Sequence, residues 1–206
     1  VADDGCSVVG PGGGVLSGDA IVTQYVRGRA FRVRADGFWQ VHPGAAEVLT
    51  EAVLAGLSPK PGERALDLYC GCGLFAGALV DAGCRVTGIE ANRSAIELAR
   101  TNVPQARFFA TRVDKAGSRL PKTADLIVLD PPRTGAGAGV VKRITQLGAR
   151  AIAFVACDPA SMARDVATFG KFGYQVSGLR AFDLFPMTHH VETVVLMCAS
   201  SQAGKC

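Results

Sequence analysis

Two hydrophobic periods divide the chain. Residues 1–20 are rich in Gly and Asp around Gly12-Gly13-Gly14 and read as turns with short hairpin strands. Residues 21–34 alternate apolar and polar positions through Val22, Tyr25, Val26, Phe31 and Val33, as half-buried strands do. Helical spacing runs from Pro43 to about Leu57 and stops ahead of Ser58-Pro59. Beyond it one unit keeps returning: an apolar strand, a polar or glycine-rich loop, then a helix. Strands are predicted over Ala65–Tyr69, Arg85–Glu90, Arg107–Thr111, Asp125–Asp130, Ala151–Cys157, Tyr174–Phe185 and His190–Cys198. Helices are predicted over roughly Leu74–Ala82, Ser94–Asn102, Gly139–Leu147 and Ser161–Phe169. Such alternation gives an α/β fold, a parallel sheet covered on both faces. The last two strands are joined by a link containing Pro186 that is too short for a crossover helix. They are expected to pair as a hairpin, making one strand antiparallel. The tail from Ser200 is expected to be disordered.

Composition narrows the class. Hydrophobic residues make up 49% and charged residues 19% of 206 positions, which excludes a disordered chain and suits one domain with a sizeable core. No apolar run is long enough to cross a bilayer, and no secretory signal opens the chain, so a cytoplasmic protein is expected. The chain begins with Val1 rather than Met and reads as a piece of a longer protein. Its net charge of +4 and pI of about 8.8 admit an anionic partner without requiring one. Arg27, Arg29, Arg32 and Arg34 cluster around Phe31 and precede Phe38 and Trp39. That mixture suits a phosphate-tracking surface with stacking rings as well as it suits a solvated hairpin. The 7 cysteines form no framework, and Cys70-Gly71-Cys72 lacks the paired spacing of a zinc site. No metal site is expected, and the thiols are read as reduced.

The first strand of the repeating part runs into Leu66-Asp67-Leu68-Tyr69-Cys70-Gly71-Cys72-Gly73. Glycines there let the backbone turn tightly and approach a ligand at the strand's C-terminal end. Gly71 through Ala76 also satisfies the dinucleotide pattern G-x-G-x-x-A, a weak signal alone. Asp67 just ahead of the loop favours S-adenosylmethionine, because an acid there would repel a pyrophosphate but not a cationic methionine end. The next strand ends in Glu90, whose carboxylate could accept both ribose hydroxyls or cap the following helix.

The fourth strand ends in Asp130-Pro131-Pro132-Arg133, a stiff loop at the edge where ligands sit. Amino-methyltransferases follow a similar Asp-Pro-Pro with an aromatic, and Arg133 stands there instead. The fifth strand ends in Cys157, which is either a buried structural thiol or a nucleophile. The last strand carries Glu192 in an otherwise apolar run, and burying an acid is costly unless it has a partner or a task. Strand order in this fold brings Asp130, Cys157 and Glu192 towards one pocket. One cysteine and one carboxylate are what methylation at C5 of uracil needs. A thiolate adds to C6, C5 takes the methyl group, and a base removes the C5 proton.

Taken together, the motifs resemble the class I RNA 5-methyluridine methyltransferase family, which acts on tRNA and 23S rRNA. The resemblance spans roughly residues 38–197. It rests on Phe38-Trp39-Gln40, Leu66 through Gly73, Gly88-Ile89-Glu90, Asp130-Pro131-Pro132-Arg133, Ala156-Cys157-Asp158-Pro159 with Ala163-Arg164-Asp165, and His190-Val191-Glu192. It implies a Rossmann-like class I methyltransferase fold with a seven-stranded, mostly parallel sheet. Residues 38–199 would form the catalytic domain, 1–37 the remainder of an RNA-contacting β subdomain, and 200–206 the tail. Cys157 would be the nucleophile and Glu192 the general base. Gln40, Tyr69, Glu90 and Asp130 would contact S-adenosylmethionine, and Asp130 would also lie near the target base. RNA is the implied partner, with no membrane and no protein partner, and the chain is read as a monomer. Two positions depart from the family: Leu74 replaces a cofactor-contacting Asn, and Arg112 stands on the adenine side with Asp114 two residues on. The N-terminal RNA-binding barrel that members usually carry is absent from these residues, so the isolated chain is expected to bind cofactor better than RNA. The alternatives are a cytosine-C5 enzyme, whose fourth-strand motif would usually hold a second cysteine, a non-catalytic RNA-binding domain with the same fold, and a nicotinamide dehydrogenase.

Overall fold

The computed structural model describes residues 7–10, 14–185, 187–188 and 190–200. The recurring apolar strands assemble into one sheet of 7 strands. In chain order these are β5 (Arg64–Leu68), β6 (Arg85–Glu90), β7 (Arg107–Ala110), β8 (Leu126–Leu129), β9 (Ala151–Ala156), β10 (Tyr174–Phe182) and β11 (Glu192–Ala199). Their spatial order is β10-β11-β9-β8-β5-β6-β7. β5 through β9 run parallel, and β11 is antiparallel to both neighbours, as the short link between the last two strands requires. The chain starts at β5, builds outward through β6 and β7, then returns to add β8 on the other side of β5. That reversal opens a crevice above the C-terminal ends of β5 and β8.

Side chains alternate between two cores, one on each face of the sheet. On β8 and β9, Leu126, Val128, Ala151, Ala153 and Val155 face one core. Ile127, Leu129, Ile152, Phe154 and Ala156 face the other. The first core is closed by α1 (Ala45–Leu57), α2 (Leu74–Asp81) and α3 (Arg93–Asn102). The second is closed by α4 (Ala138–Thr145) and α5 (Pro159–Lys171). Helix starts follow local chemistry. Asn92 accepts the Ser94 and Ala95 amides to begin α3, and Asp158 accepts the Ser161 amide at 2.6 Å with Pro159 in the first turn of α5. α1 starts two residues later than its periodicity suggests and ends at Ser58 in a left-handed conformation. The last two strands are also shorter at their facing ends, β10 stopping at Phe182 and β11 starting at Glu192.

Ahead of this domain lie two hairpins: β1 (Val8–Val9) with β2 (Val15–Ser17), and β3 (Ile21–Val26) with β4 (Arg29–Arg34). The second turns through Arg27-Gly28, both at positive φ, which matches the right-handed twist of paired strands. Its inward residues Val26, Phe31 and Val33 share the core beneath α1 and α2. Trp39 packs its ring 5.9 Å from that of Phe31. Three of the clustered arginines are engaged internally: Arg27 with Glu51, Arg29 with Asp81 and the Asn102 carbonyl, and Arg34 with Asp36. Cys70, Cys72, Cys84 and Cys157 are free thiols. Gly12 and Gly13 of the expected turn, and residues 201–206 of the expected tail, lie outside the described residues. No helix among the described residues is long and apolar enough to cross a membrane.

Candidate active site

A cavity of about 1050 Å³ opens at the C-terminal edge of the sheet, over the reversal between β5 and β8. Gln40, Tyr69, Glu90, Asp130, Cys157 and Glu192 all line it. The six residues singled out from the sequence therefore meet in one place, although they span more than 150 positions of chain.

One half of the cavity is built by the turn after β5. Tyr69 has φ 61°, an uncommon conformation for a bulky residue, held by the Tyr69 and Cys70 amides donating to the Ile89 carbonyl. Gly73 has φ 95° and starts α2, and a Cβ there would meet Val103 at 3.3 Å. Glu90 ties this turn to the next loop. One carboxylate oxygen accepts the Asn92 amide at 2.7 Å and the other the Gly71 amide at 3.3 Å. Each oxygen keeps a lone pair for a further donor. Asp67 is fully buried and does not line the cavity, so it does not meet a ligand directly as its place in the sequence suggested. Neither of its oxygens has a hydrogen-bond partner, and burial pushes its carboxyl up to about 8. Leu74 is buried in the core and does not line the cavity. At the far end of the cavity Arg112 and Asp114 pair with each other at 2.9 and 3.0 Å.

The other half gathers reactive groups. In the β9–β11 ladder Thr193 lies opposite Ala156, which makes Glu192 and Cys157 the next pair towards the cavity. Thr193 fixes this register by donating its hydroxyl to the Ala156 carbonyl at 2.8 Å. Asp130 follows β8 on the neighbouring strand, its amide donating to the Leu68 carbonyl. Burial pushes Glu192 up to about 7. Asp130 is driven well above the carboxylate range by burial and then by the charges of Glu192 and Asp67. The Cys157 thiol is raised by burial and by Glu192, and the Arg133 guanidinium opposes that rise. A thiol beside a cation, with a carboxyl poised near neutrality, can add to an electron-poor carbon and then take up a proton.

Sequence reasoning gave Arg133 no role at the thiol and left the stretch around Asp165 unassigned. Asp165 is buried and accepts the Ala136 and Gly137 amides from the loop after β8. The sequence did hold a signal for it. Met162, Asp165 and Phe169 share the buried face of α5, and an acid on such a face needs a partner. No group of three or more metal-ligating side chains occurs among the described residues.

Sheet order, glycine turn and crevice define the Rossmann-like fold of class I S-adenosylmethionine-dependent methyltransferases. A family model described as tRNA (Uracil-5-)-methyltransferase matches residues 111–200. An uncharacterized RNA methyltransferase of Streptomyces avermitilis is 53% identical over 191 residues, covering 88% of this chain and 44% of the relative. Another from Streptomyces coelicolor is 52% identical over 196 residues, covering 90% of this chain and 42% of the relative. Among solved structures, the Pyrococcus abyssi tRNA (uracil-54, C5)-methyltransferase in complex with S-adenosyl-L-homocysteine aligns with a TM-score of 0.77 and 30% identity, over 90% of this chain and 46% of that one. The chain thus spans less than half the length of these relatives.

Proposed function

We propose that the chain is the catalytic domain of an RNA methyltransferase that methylates C5 of a uridine through a covalent Cys157 adduct. The observation that carries this reading is the adjacency of Cys157 and Glu192 at the ends of β9 and β11, facing the same cavity as Glu90. The cavity's residues fit S-adenosylmethionine. Glu90 has carboxylate lone pairs for a ribose diol, Gln40 offers an amide, and Tyr69 offers a ring face. When bound, the cofactor supplies an electrophilic methyl group on a sulfonium.

The chain's own residues perform the remaining steps. The Cys157 thiolate bonds to C6 of the uracil, and the electron pair of the C5–C6 double bond moves into an enolate. C5 then bonds to the methyl carbon as the sulfonium–methyl bond breaks. Glu192 takes the proton from C5, the double bond re-forms, and the Cys157–C6 bond breaks to return the thiolate. A carboxyl near 7 suits the proton transfer, since a base works best when its pKa lies near the working pH. Asp130, whose carboxyl burial pushes upward, can donate to a uracil carbonyl in its protonated form as the enolate forms. The target base must leave its stack to enter the cavity, which costs a few kcal/mol.

The test is nucleoside mass spectrometry of tRNA and rRNA incubated with the protein and methyl-labelled S-adenosylmethionine. Labelled 5-methyluridine is the expected product. Label in 5-methylcytidine, or none in pyrimidines, would overturn the reading.

A further inference from the structure

The loop after β8 carries Asp130 and Arg133 into the cavity, yet it has few means of holding itself there. Pro131 and Pro132 have no amide hydrogen to donate. Within the loop, the Gly135 amide donates to the Pro132 carbonyl at 2.8 Å. α4 begins at Ala138 without a side-chain cap. The fastening comes from the opposite loop. Asp165 stands on α5, the helix that starts directly after Cys157 and Asp158, and is 5% exposed. Its Oδ2 accepts the Ala136 amide at 2.6 Å, and its Oδ1 accepts the Gly137 amide at 3.1 Å. Gly135 lies so close that a Cβ there would stand 2.6 Å from Asp165 Oδ2, and its φ of 84° is one a side chain would resist. Short hydrogen bonds from amides to a buried carboxylate are strong and directional.

We propose that Asp165 is a positioning residue, clamping the Asp130–Gly137 loop to the helix behind Cys157 so that Arg133 is held at the thiol. The proposal rests on the reading of Cys157 as nucleophile. Glu192 from β11, and Asp130 and Arg133 from the clamped loop, line the same cavity as that thiol. Burial, then Glu192 and least of all Asp130 raise it, and Arg133 opposes them. Releasing the loop withdraws Arg133, the larger of the loop's two influences, together with Asp130, while Glu192 goes on raising the thiol.

The experiment measures iodoacetamide alkylation of Cys157 against pH, read by peptide mass spectrometry, in the parent protein, Asp165→Asn and Asp165→Ala. Methyl transfer to RNA is followed in parallel. For Asp165→Ala the alkylation midpoint should rise by about half a pH unit or more. The turnover number should fall roughly 10- to 100-fold, the cost of a ~1 Å misplacement, with KM for S-adenosylmethionine changing less than about threefold. Asp165→Asn should lie between, because its carbonyl oxygen can still accept from the loop. Folded variants with an unchanged alkylation midpoint overturn the clamp, as do two variants that both fail to fold. Retained methylation in Cys157→Ala would instead overturn the nucleophile reading, whatever Asp165 does to the alkylation profile.

Discussion

At the residue scale, the site sets a thiol against a carboxyl that burial has brought near neutrality. Cys157→Ala is expected to abolish adduct formation and turnover while leaving cofactor affinity intact, as isothermal titration would report. Glu192→Gln should still form the adduct but not resolve it, giving a shifted band on a denaturing gel with RNA. Because Glu192 must be ionised to take the proton, resolution of the covalent adduct should slow about tenfold per pH unit below roughly pH 6, whereas the overall single-turnover rate should keep rising above pH 8 as the Cys157 thiol, raised by burial, ionises. The same carboxyl affects stability with a definite sign. Its pKa in the folded protein, about 7, lies above its ordinary 4.5, so its stabilising contribution is full below about 4.5 and is lost as pH rises through about 7. Glu192→Gln should therefore match the parent at pH 4 and exceed it at pH 8, on the order of 1–2 kcal/mol in urea titrations.

At the scale of elements, the β3–β4 hairpin is bound to the sheet domain through the end of α3. Asn102 accepts the Arg32 amide at 2.8 Å and donates to the Arg32 and Cys72 carbonyls, both at 3.0 Å. One buried side chain thereby joins the hairpin to the glycine turn of the cavity. Asn102→Ala leaves a donor and two acceptors without their partners, and a loss of about 2–4 kcal/mol of unfolding free energy is expected. An undiminished urea midpoint would show that the hairpin is held by its apolar face alone. The hairpin also illustrates what the sequence could convey. Alternation through Val22, Phe31 and Val33 revealed the strands, because a side-chain period of two is local. The partners of Arg29, Asp81 and Asn102 stand 52 and 73 positions away, and no local pattern encodes such pairings.

For the whole molecule, the order of strands and helices was legible because each buried strand is an uninterrupted apolar run ending in a polar or glycine-bearing loop. The same feature exposed Tyr69, Glu90, Asp130 and Cys157, which stand where those runs stop. Glu192 was legible for the opposite reason, as an acid placed where only apolar residues are inexpensive. Arg133 and Asp165 stayed unassigned because their roles depend on how two loops face each other across neighbouring strands. The topology converts these scattered positions into one cavity, since strands β5 through β9 all present their C-terminal ends to the same edge. The central claim is that this edge replaces the C5 hydrogen of a uridine with a methyl group by way of Cys157. The most direct measurement uses RNA tritiated at C5 of uridine together with S-adenosylmethionine. The account predicts one tritium released to water per methyl group incorporated, and none with Cys157→Ala. Methyl incorporation without tritium release, or undiminished release from Cys157→Ala, would contradict it.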